Sequence, residues 1–436
     1  MANLEDIKKE LETVDSTKIF FVDFNGRIMS LPVNLDNIQF ILENGIGFDG
    51  SSIAGYGTVD RSDRLLVPDP DSFKVLKFSD ETVGFFIASI YNEKDQPAQA
   101  DPRALLKNIL TEAEREFGVK FLLGPEHEFF LLKNDNDKKN LHTDRGLYFQ
   151  SSPHDKGEAV RNRIVKILKE CGIAFEKAHH EVTPSQHEVN LEPTDPLNGA
   201  DRTVLFNYVT QKTAEEFGYR ATFMPKPFDG YNRNALHLHL SIQDLDGNNV
   251  LYDEEAAHNL GTIARQFIGG ILKYARETSI VMASTFNSYK AYVIEREAPI
   301  ICNWGFRNRS SMVRIPYCPV PESTRLELRN PDPAGNIYFQ VAILIAMGME
   351  GIRKNITCGE QSTSSISSKD LSTKIWDKRF LPKSMFEALA EAEGSSFLKR
   401  TFGDEIYQNF MALKTKEWEG HRTHVTGREL SMYLDR

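Results

Sequence analysis

Residues 119–132 read VKFLLGPEHEFFLL, an apolar run broken by Lys120, by a Gly-Pro pair and by Glu126 and Glu128 around His127. Successive side chains of a strand point to opposite faces, so the two glutamates point the same way, about 7 Å apart along the strand. The alternation recurs further on. In NALHLHLSI, His237, His239 and Ser241 share one face, while Leu236, Leu238 and Leu240 share the other. In TRLELRNPD, Arg325, Glu327 and Arg329 lie opposite Leu326 and Leu328. In FRNRSSMVRIPY, Arg307 and Arg309 alternate, with Arg314 beyond them. One such strand alone is ordinarily antiparallel with a wet face. Four of them, with mixed signs, predict neighbours in a curved sheet whose charged faces line a common cavity.

The rest of the pattern divides the chain. Residues 3–13 have helical spacing, and the apolar runs 18–24 and 27–33 flank Asn25-Gly26, the strongest short-range hairpin signal. Residues 37–50 are mixed and lead into a glycine- and serine-rich loop, GIGFDGSSIAGYG. A strand is predicted over 83–91. The polar stretch 92–100 reads as a linker, because Asp101-Pro102 then caps an amphipathic helix that ends before Gly118. This predicts a β-rich N-terminal domain, 1–100, and a larger mixed domain, 101–436. In the second, helices are expected near 158–171, 200–217, 253–276 and 335–352, a strand over 234–242, a low-complexity loop at 359–370, and short helices at the C-terminus.

Composition narrows the classes. A net charge of −10 argues against a nucleic-acid binder and permits bound cations. The longest apolar run, 341–347, is too short to span a bilayer, and the N-terminus has no signal-peptide core. Cys171, Cys302, Cys318 and Cys358 lie far apart, which suits free thiols in a reducing cytosol.

Two carboxylates on one face of an apolar strand repel each other and are costly to desolvate, so a divalent cation beside them is the simplest complement. Glu126, Glu128, Glu181, Glu188, Glu327 and His237 would offer mostly oxygen ligands with one imidazole, which suits Mg²⁺ or Mn²⁺ better than zinc. Metals beside Arg309, Arg314 and Arg329 point to a phosphorylated substrate and phosphoryl transfer. Residues 45–50, GIGFDG, match G-x-G-x-x-G, but no helix is expected after them, and the chain has no P-loop motif. Of His179 and His180, adjacent on a strand, at most one can face a metal with Glu181.

These segments together resemble the glutamine synthetase family, type I, over essentially the whole chain. The matching stretches are GFDGSSIAG, GPEHEFF, HHEVTPSQHE, ATFMPKP, HLHLS, NSYK…EREAP, RNRSSMVRIP and RLELRNPDPAGNIYF, in that order. The resemblance implies an α+β protein: a small β-grasp domain, then a catalytic domain with an open, curved antiparallel sheet flanked by helices. It implies a homo-oligomer, a dodecamer of two hexameric rings with active sites shared between neighbours. The implied reaction is ATP-dependent: glutamate and ammonia give glutamine through a γ-glutamyl phosphate. Glu128, Glu181 and Glu188 would hold one metal, and Glu126, His237 and Glu327 another. Glu176, His239, Ser241, Arg309 and Arg314 match positions contacting ATP. Arg309 and Arg329 match groups that grip the substrate's γ-carboxylate or its phosphoryl derivative. Asp49 and Ser52, from the adjacent subunit, match the ammonium site, where Asp49 takes a proton. Glu297 matches a flap glutamate that closes the site and accepts a proton.

The chain departs from the family at two places. Where members read N-G-S-G-M-H before the metal histidine, this chain has Asn232-Arg233-Asn234-Ala235-Leu236-His237. Where members read N-S-Y-K-R, with the arginine on the substrate α-carboxylate, this chain ends in Ala291. Either Arg233 supplies the missing charge and glutamate remains the substrate, or the acid or amine differs. A third alternative is a family scaffold without chemistry, which predicts scattered loss of metal ligands; all six are present. Members modified by adenylylation carry a tyrosine in N-L-Y-D; residues 374–377 here are KIWD, so no such modification is expected.

Overall fold

The computed structural model describes residues 4–134, 141–293, 297–363 and 379–436. Residues 374–377, where no adenylylation is expected, and most of the low-complexity loop lie outside these residues.

The N-terminal region is built on a seven-stranded sheet. Helix α1 (Leu4–Leu11) precedes the hairpin β1 (Ser16–Val22) and β2 (Ile28–Val33), paired as expected through Asn25-Gly26. Gly26 adopts φ +79°, and a Cβ there would meet the Gly335 carbonyl oxygen at 2.5 Å, so the turn needs glycine both for its conformation and for its docking. After α2 (Ile38–Asn44) come β3 (Ile46–Asp49), β4 (Asp63–Pro68), β5 (Lys74–Lys77), β6 (Thr82–Glu93) and β7 (Gln96–Pro97). The order is β2-β1-β6-β4-β3, with β5 and β7 also on β6 and the β1–β6 pair parallel. Two expectations fail here. The start of the glycine-rich stretch is a strand, because Ile46 to Asp49 pair with β4. The stretch read as a linker folds back as a short hairpin onto β6, and Ala98 and Ala100 are buried.

Helix α3 (Pro102–Phe117) starts and stops where the sequence puts it. Asp101 accepts from the Arg103 amide at 3.0 Å, Pro102 occupies the first turn, and Gly118 closes the helix at φ +64°. Then follow β8 (Val119–Lys133), α4 (Glu158–Glu170), β9 (Phe175–His180), β10 (Gln186–Leu191), α5 (Pro196–Glu216), β11 (Tyr219–Thr222), β12 (Leu236–Asp244), α6 (Thr262–Tyr274) and α7 (Ser279–Met282). The chain continues through β13 (Trp304–Phe306), β14 (Val313–Ile315), β15 (Leu326–Leu328), α8 (Ile337–Arg353), α9 (Met385–Glu393), α10 (Ser396–Arg422) and α11 (Gly427–Tyr433).

The second sheet runs β13-β14-β15-β12-β8-β10-β9, with β11 on the far end of β8. All pairs are antiparallel except β13–β14. One face is apolar: Leu123, Phe129, Leu131, Val189, Leu238 and Leu240 are buried in the core with residues of α5, α6 and α8. Arg307 and Arg309, read as strand residues, instead sit in the turn joining β13 to β14, and Arg307 has φ +57°. The C-terminal region contains one 27-residue helix, α10, broken at Gly403, rather than only short helices. Among the described residues, no helix is long and apolar enough to cross a membrane.

Candidate active site

The charged faces fall into register across the second sheet. Glu126 on β8 pairs with His237 on β12 and with Asn190 on β10, and Asn190 pairs with Lys177 on β9. Glu128 pairs with Glu188, which pairs with His179. Glu327 on β15 pairs with His239 and Arg314. Residues opposite each other in a ladder project to the same face. One surface therefore carries the carboxylates, imidazoles and arginines that the sequence pattern grouped.

Two clusters emerge on it. In the first, Glu181 Oε1 lies 3.1 Å from His179 Nε2, and Glu188 Oε1 lies 3.9 Å from the same nitrogen. Glu128 Oε2 accepts from the Ala235 amide at 2.8 Å and from the Gln186 amide at 2.9 Å. Burial, and then neighbouring carboxylates (Glu181 for Glu128; Glu126, Glu128 and Glu181 for Glu188), push both carboxyls well above their usual range. This group is short of positive charge.

The second cluster is already compensated. Burial alone would raise Glu126, yet His239 and His237 hold it well below its usual range. His237 Nδ1 lies 3.1 Å from Glu126 Oε2 and 3.7 Å from Glu327 Oε1. Glu327 is also buried, but Arg329 and the two imidazoles bring it down to about 2, and Arg314 and Arg329 both donate to it. Arg325 Nε donates to His239 Nδ1 at 3.1 Å, and His239 Nε2 lies 3.0 Å from Glu126 Oε1. His239 groups with Glu126 and Glu327 as a candidate metal set, and His237 Nδ1 lies close to both carboxylates as well, so either imidazole can complete the site. The donor set of both clusters, mostly carboxylate oxygen with imidazole at the edge, fits a divalent ion such as Mg²⁺ or Mn²⁺.

Other expected residues take varied places. Ser241 donates to the Thr324 carbonyl at 3.1 Å and lies on the same face as His239. Glu176 is exposed beside Lys177, near the irregular end of the β9–β10 ladder. Arg309 is hydrogen-bonded to the Tyr148 hydroxyl and feels Glu297 and Glu327. The exposed Glu297 carboxyl is raised by the protein around it and by Glu181, and opposed by Arg329 and Arg309, which places it at the same face. Asn232 is half-buried, and Arg233 is buried, donating to the Asn330 carbonyl at 3.1 Å and to the Arg329 carbonyl at 2.5 Å. Its guanidinium carbon lies 6.0 Å from the Tyr292 ring, next in sequence to buried Ala291. Asp49 and Ser52 lie elsewhere, in the N-terminal region, where the Asp49 carboxylate accepts from Ser51 and Ser52 hydroxyls at 2.7 Å and none of its described bonds reaches this sheet.

Some residues of the face escaped the sequence reading. Lys177 shares the parity of Glu181 in KAHHE, and period two would have found it; of the two histidines weighed beside Glu181, His179 is the one on this face. Tyr148, stacked on Phe149 at 4.1 Å and edge-on to His179, sits in a polar stretch with no alternation to reveal it. On the opposite face a second buried group forms from Asp144, Asp155, His180 and His187. There Arg161 donates to His187 Nδ1 at 2.7 Å and to Asp155 at 2.6 Å, so the group is an ion-pair network spent on a guanidinium.

An α+β fold that sets carboxylate–imidazole clusters beside arginines on one sheet face has relatives among the ligases that form carbon–nitrogen bonds. The description "Glutamine synthetase, catalytic domain" matches residues 99–433, and "Glutamine synthetase, beta-Grasp domain" matches residues 13–93. The chain belongs to the glutamine synthetase family. It is 36% identical to glutamine synthetase of Methanococcus voltae, covering 99% of this chain and 98% of the other. To the Methanosarcina mazei enzyme it is 39% identical, covering 95% and 93%. A solved structure titled "GmaS/ADP complex-Conformation 1" superposes with TM-score 0.89 at 28% identity over the full length of both chains. Plasmodium falciparum glutamine synthetase shares the fold, with TM-score 0.86 at 23% identity, covering 99% of both chains.

Proposed function

We propose that the enzyme condenses glutamate with ammonia at the expense of ATP, giving glutamine, ADP and phosphate. The observation that carries this reading is the two carboxylate–imidazole clusters side by side on one sheet face, with Arg314 and Arg329 donating to Glu327. A carboxylate is a poor electrophile. Transfer of the γ-phosphoryl group of ATP to a γ-carboxylate oxygen expels ADP and gives an acyl phosphate, and attack by ammonia then forms the C–N bond as phosphate leaves. Bound divalent ions, held by Glu128, Glu181 and Glu188 and by Glu126, His237 and Glu327, would supply neutralisation of the phosphoryl oxygens.

The remaining roles belong to the chain's own groups. Glu176, His239, Ser241, Arg309 and Arg314 bind ATP; Arg309 and Arg329 grip the carboxylate and its phosphoryl derivative; Asn232 and Arg233 contact the amino-acid end. Asp49, with Ser52, accepts a proton from ammonium in the site of the neighbouring subunit. Glu297 closes the site and takes the second proton, a role that suits a carboxyl with a raised pKa. Closure excludes the water that would hydrolyse the acyl phosphate. The working form is a cytosolic homododecamer of two hexameric rings, each chain divided near residue 100.

Arg233 supports glutamate as the acid, because its charge lies beside the stretch in which Ala291 stands for the family's arginine. The competing reading, a different acid or amine, draws on the same side chain, since its guanidinium donates to the Asn330 and Arg329 backbone carbonyls. A panel of acids and amines with ATP, followed by phosphate release and product mass, decides between them. Glutamate with ammonia should give the highest kcat/KM, and Arg233→Gly should raise the glutamate KM roughly 10- to 150-fold. Turnover confined to another acid or to an alkylamine would overturn the glutamate–ammonia reading.

A further inference from the structure

We propose that Lys177 is a built-in counter-cation for Glu126, which a divalent ion must displace when it binds. The inference rests on the metal-site reading above. Four strands put Lys177, Asn190, Glu126 and His237 in one row across the sheet. Lys177 Nζ reaches past Asn190 to within 3.6 Å of Glu126 Oε1. The lysine side chain is 46% exposed while the carboxylate is only 14% exposed, so the ammonium can swing out to water and the glutamate cannot follow. Glu126, Glu188 and Glu176 hold the ammonium protonated, against the burial of its stem.

Asn190, between the two charges, is buried, and both ends of its carboxamide lack a partner. Buried amides are rarely left unpaired, and this one faces the row in which the ammonium moves. Its carbonyl oxygen is a second acceptor for the displaced lysine, and its N–H₂ can donate to a water on a newly bound ion. The two clusters then differ in a defined way. Among the described residues, the group of Glu128, Glu181 and Glu188 has no lysine or arginine within ion-pair distance, whereas occupancy at Glu126 competes with an internal cation as well as with water.

The test uses the intact enzyme without nucleotide, titrated with Mn²⁺ and followed by electron paramagnetic resonance of the free ion. In Lys177→Met the weaker class of Mn²⁺ site should tighten by about 3- to 10-fold, the range for removing one partly exposed competing charge. The stronger class should change less, because the close ion pair of Lys177 is with Glu126, and Lys177→Arg should titrate as the wild type does. Identical weak-site affinity in Lys177→Met, or weaker binding there, would overturn the counter-cation role while leaving the metal sites standing. Absence of saturable Mn²⁺ binding in the wild type would overturn the metal-site reading and this inference with it.

Discussion

His127 stands between Glu126 and Glu128 in the chain and on the other side of the sheet from both. It is fully buried, with Nε2 3.0 Å from the Thr203 hydroxyl and its ring 4.3 Å from that of Phe206. The Thr203 hydroxyl donates to the Gly199 carbonyl at 3.0 Å, so its oxygen is free to accept from the imidazole Nε2–H. Burial pushes this imidazole down to about 3. An unfolded histidine titrates near 6.5, so protonation favours the unfolded chain: the contribution is fully present above about pH 6.5 and is lost as pH falls toward 3. For a group this buried the loss reaches about 3 kcal/mol between pH 6.5 and pH 4.5 at most. His127→Gln should be less stable than wild type at pH 7, yet lose about 2–3 kcal/mol less on going to pH 4.5, as read from urea denaturation at the two pH values. Parallel losses in the two proteins would assign acid lability to other groups.

At the scale of elements, α3 shows what local chemistry can specify. Asp101 accepts from the Arg103 amide and from the Ile90 amide, each at 3.0 Å, and so fastens the helix start to β6. Arg103 in turn reaches Asp69 and Asp201, both at 2.7 Å, joining the first sheet to α5. Asp101→Ala removes two buried acceptors and should cost about 2–4 kcal/mol, seen as an earlier midpoint in denaturant with unchanged slope. Asp101→Asn, which keeps an oxygen, should recover about half. The elements legible in sequence are of this kind: the Asn25-Gly26 hairpin, α3 between Asp101 and Gly118, and β8 and β12 by alternation. Those misread depend on distant partners. Ile46 to Asp49 became a strand only because β4 lies beside it, and Gln96-Pro97 only because β6 does. Arg307 and Arg309 alternate as a strand would, yet β13 and β14 run parallel, and a parallel pair requires a connection that crosses back over the residues between. The site was legible for the same reason that the strands were: period two placed Glu126, Glu128, His237 and Glu327 on inner faces. Neighbour order was not, and that order is what gives Glu126 to His237 and Glu128 to Glu188.

At the scale of the molecule, the proposed reaction divides its site between two chains. The carboxylates, imidazoles and arginines lie on the second sheet, whereas Asp49 and Ser52 lie at the end of β3 in the first, exposed, with the Asp49 carboxylate bonded among the described residues to Ser51 and Ser52. The Asp49 carboxylate is nevertheless fixed: hydrogen bonds from Ser51, and then Ser52, hold it below the usual carboxylate range. If Asp49 serves as the ammonium base of the proposed reaction, it acts where another chain's acyl phosphate forms, which calls for a head-to-tail contact closing into a ring. Such an assembly makes a prediction that no self-contained site shares. Asp49→Ala and Glu327→Ala chains, each inactive as homo-oligomers, should regain activity when dissociated, mixed in equal amounts and reassembled. A site built from Glu327 of one chain and Asp49 of the next is intact in about a quarter of random neighbour pairs, so recovery should approach about a quarter of wild-type turnover. Glutamate-dependent phosphate release from the mixture measures it. No recovery, with reassembly verified by sedimentation, would place Asp49 in its own chain's site or outside the reaction.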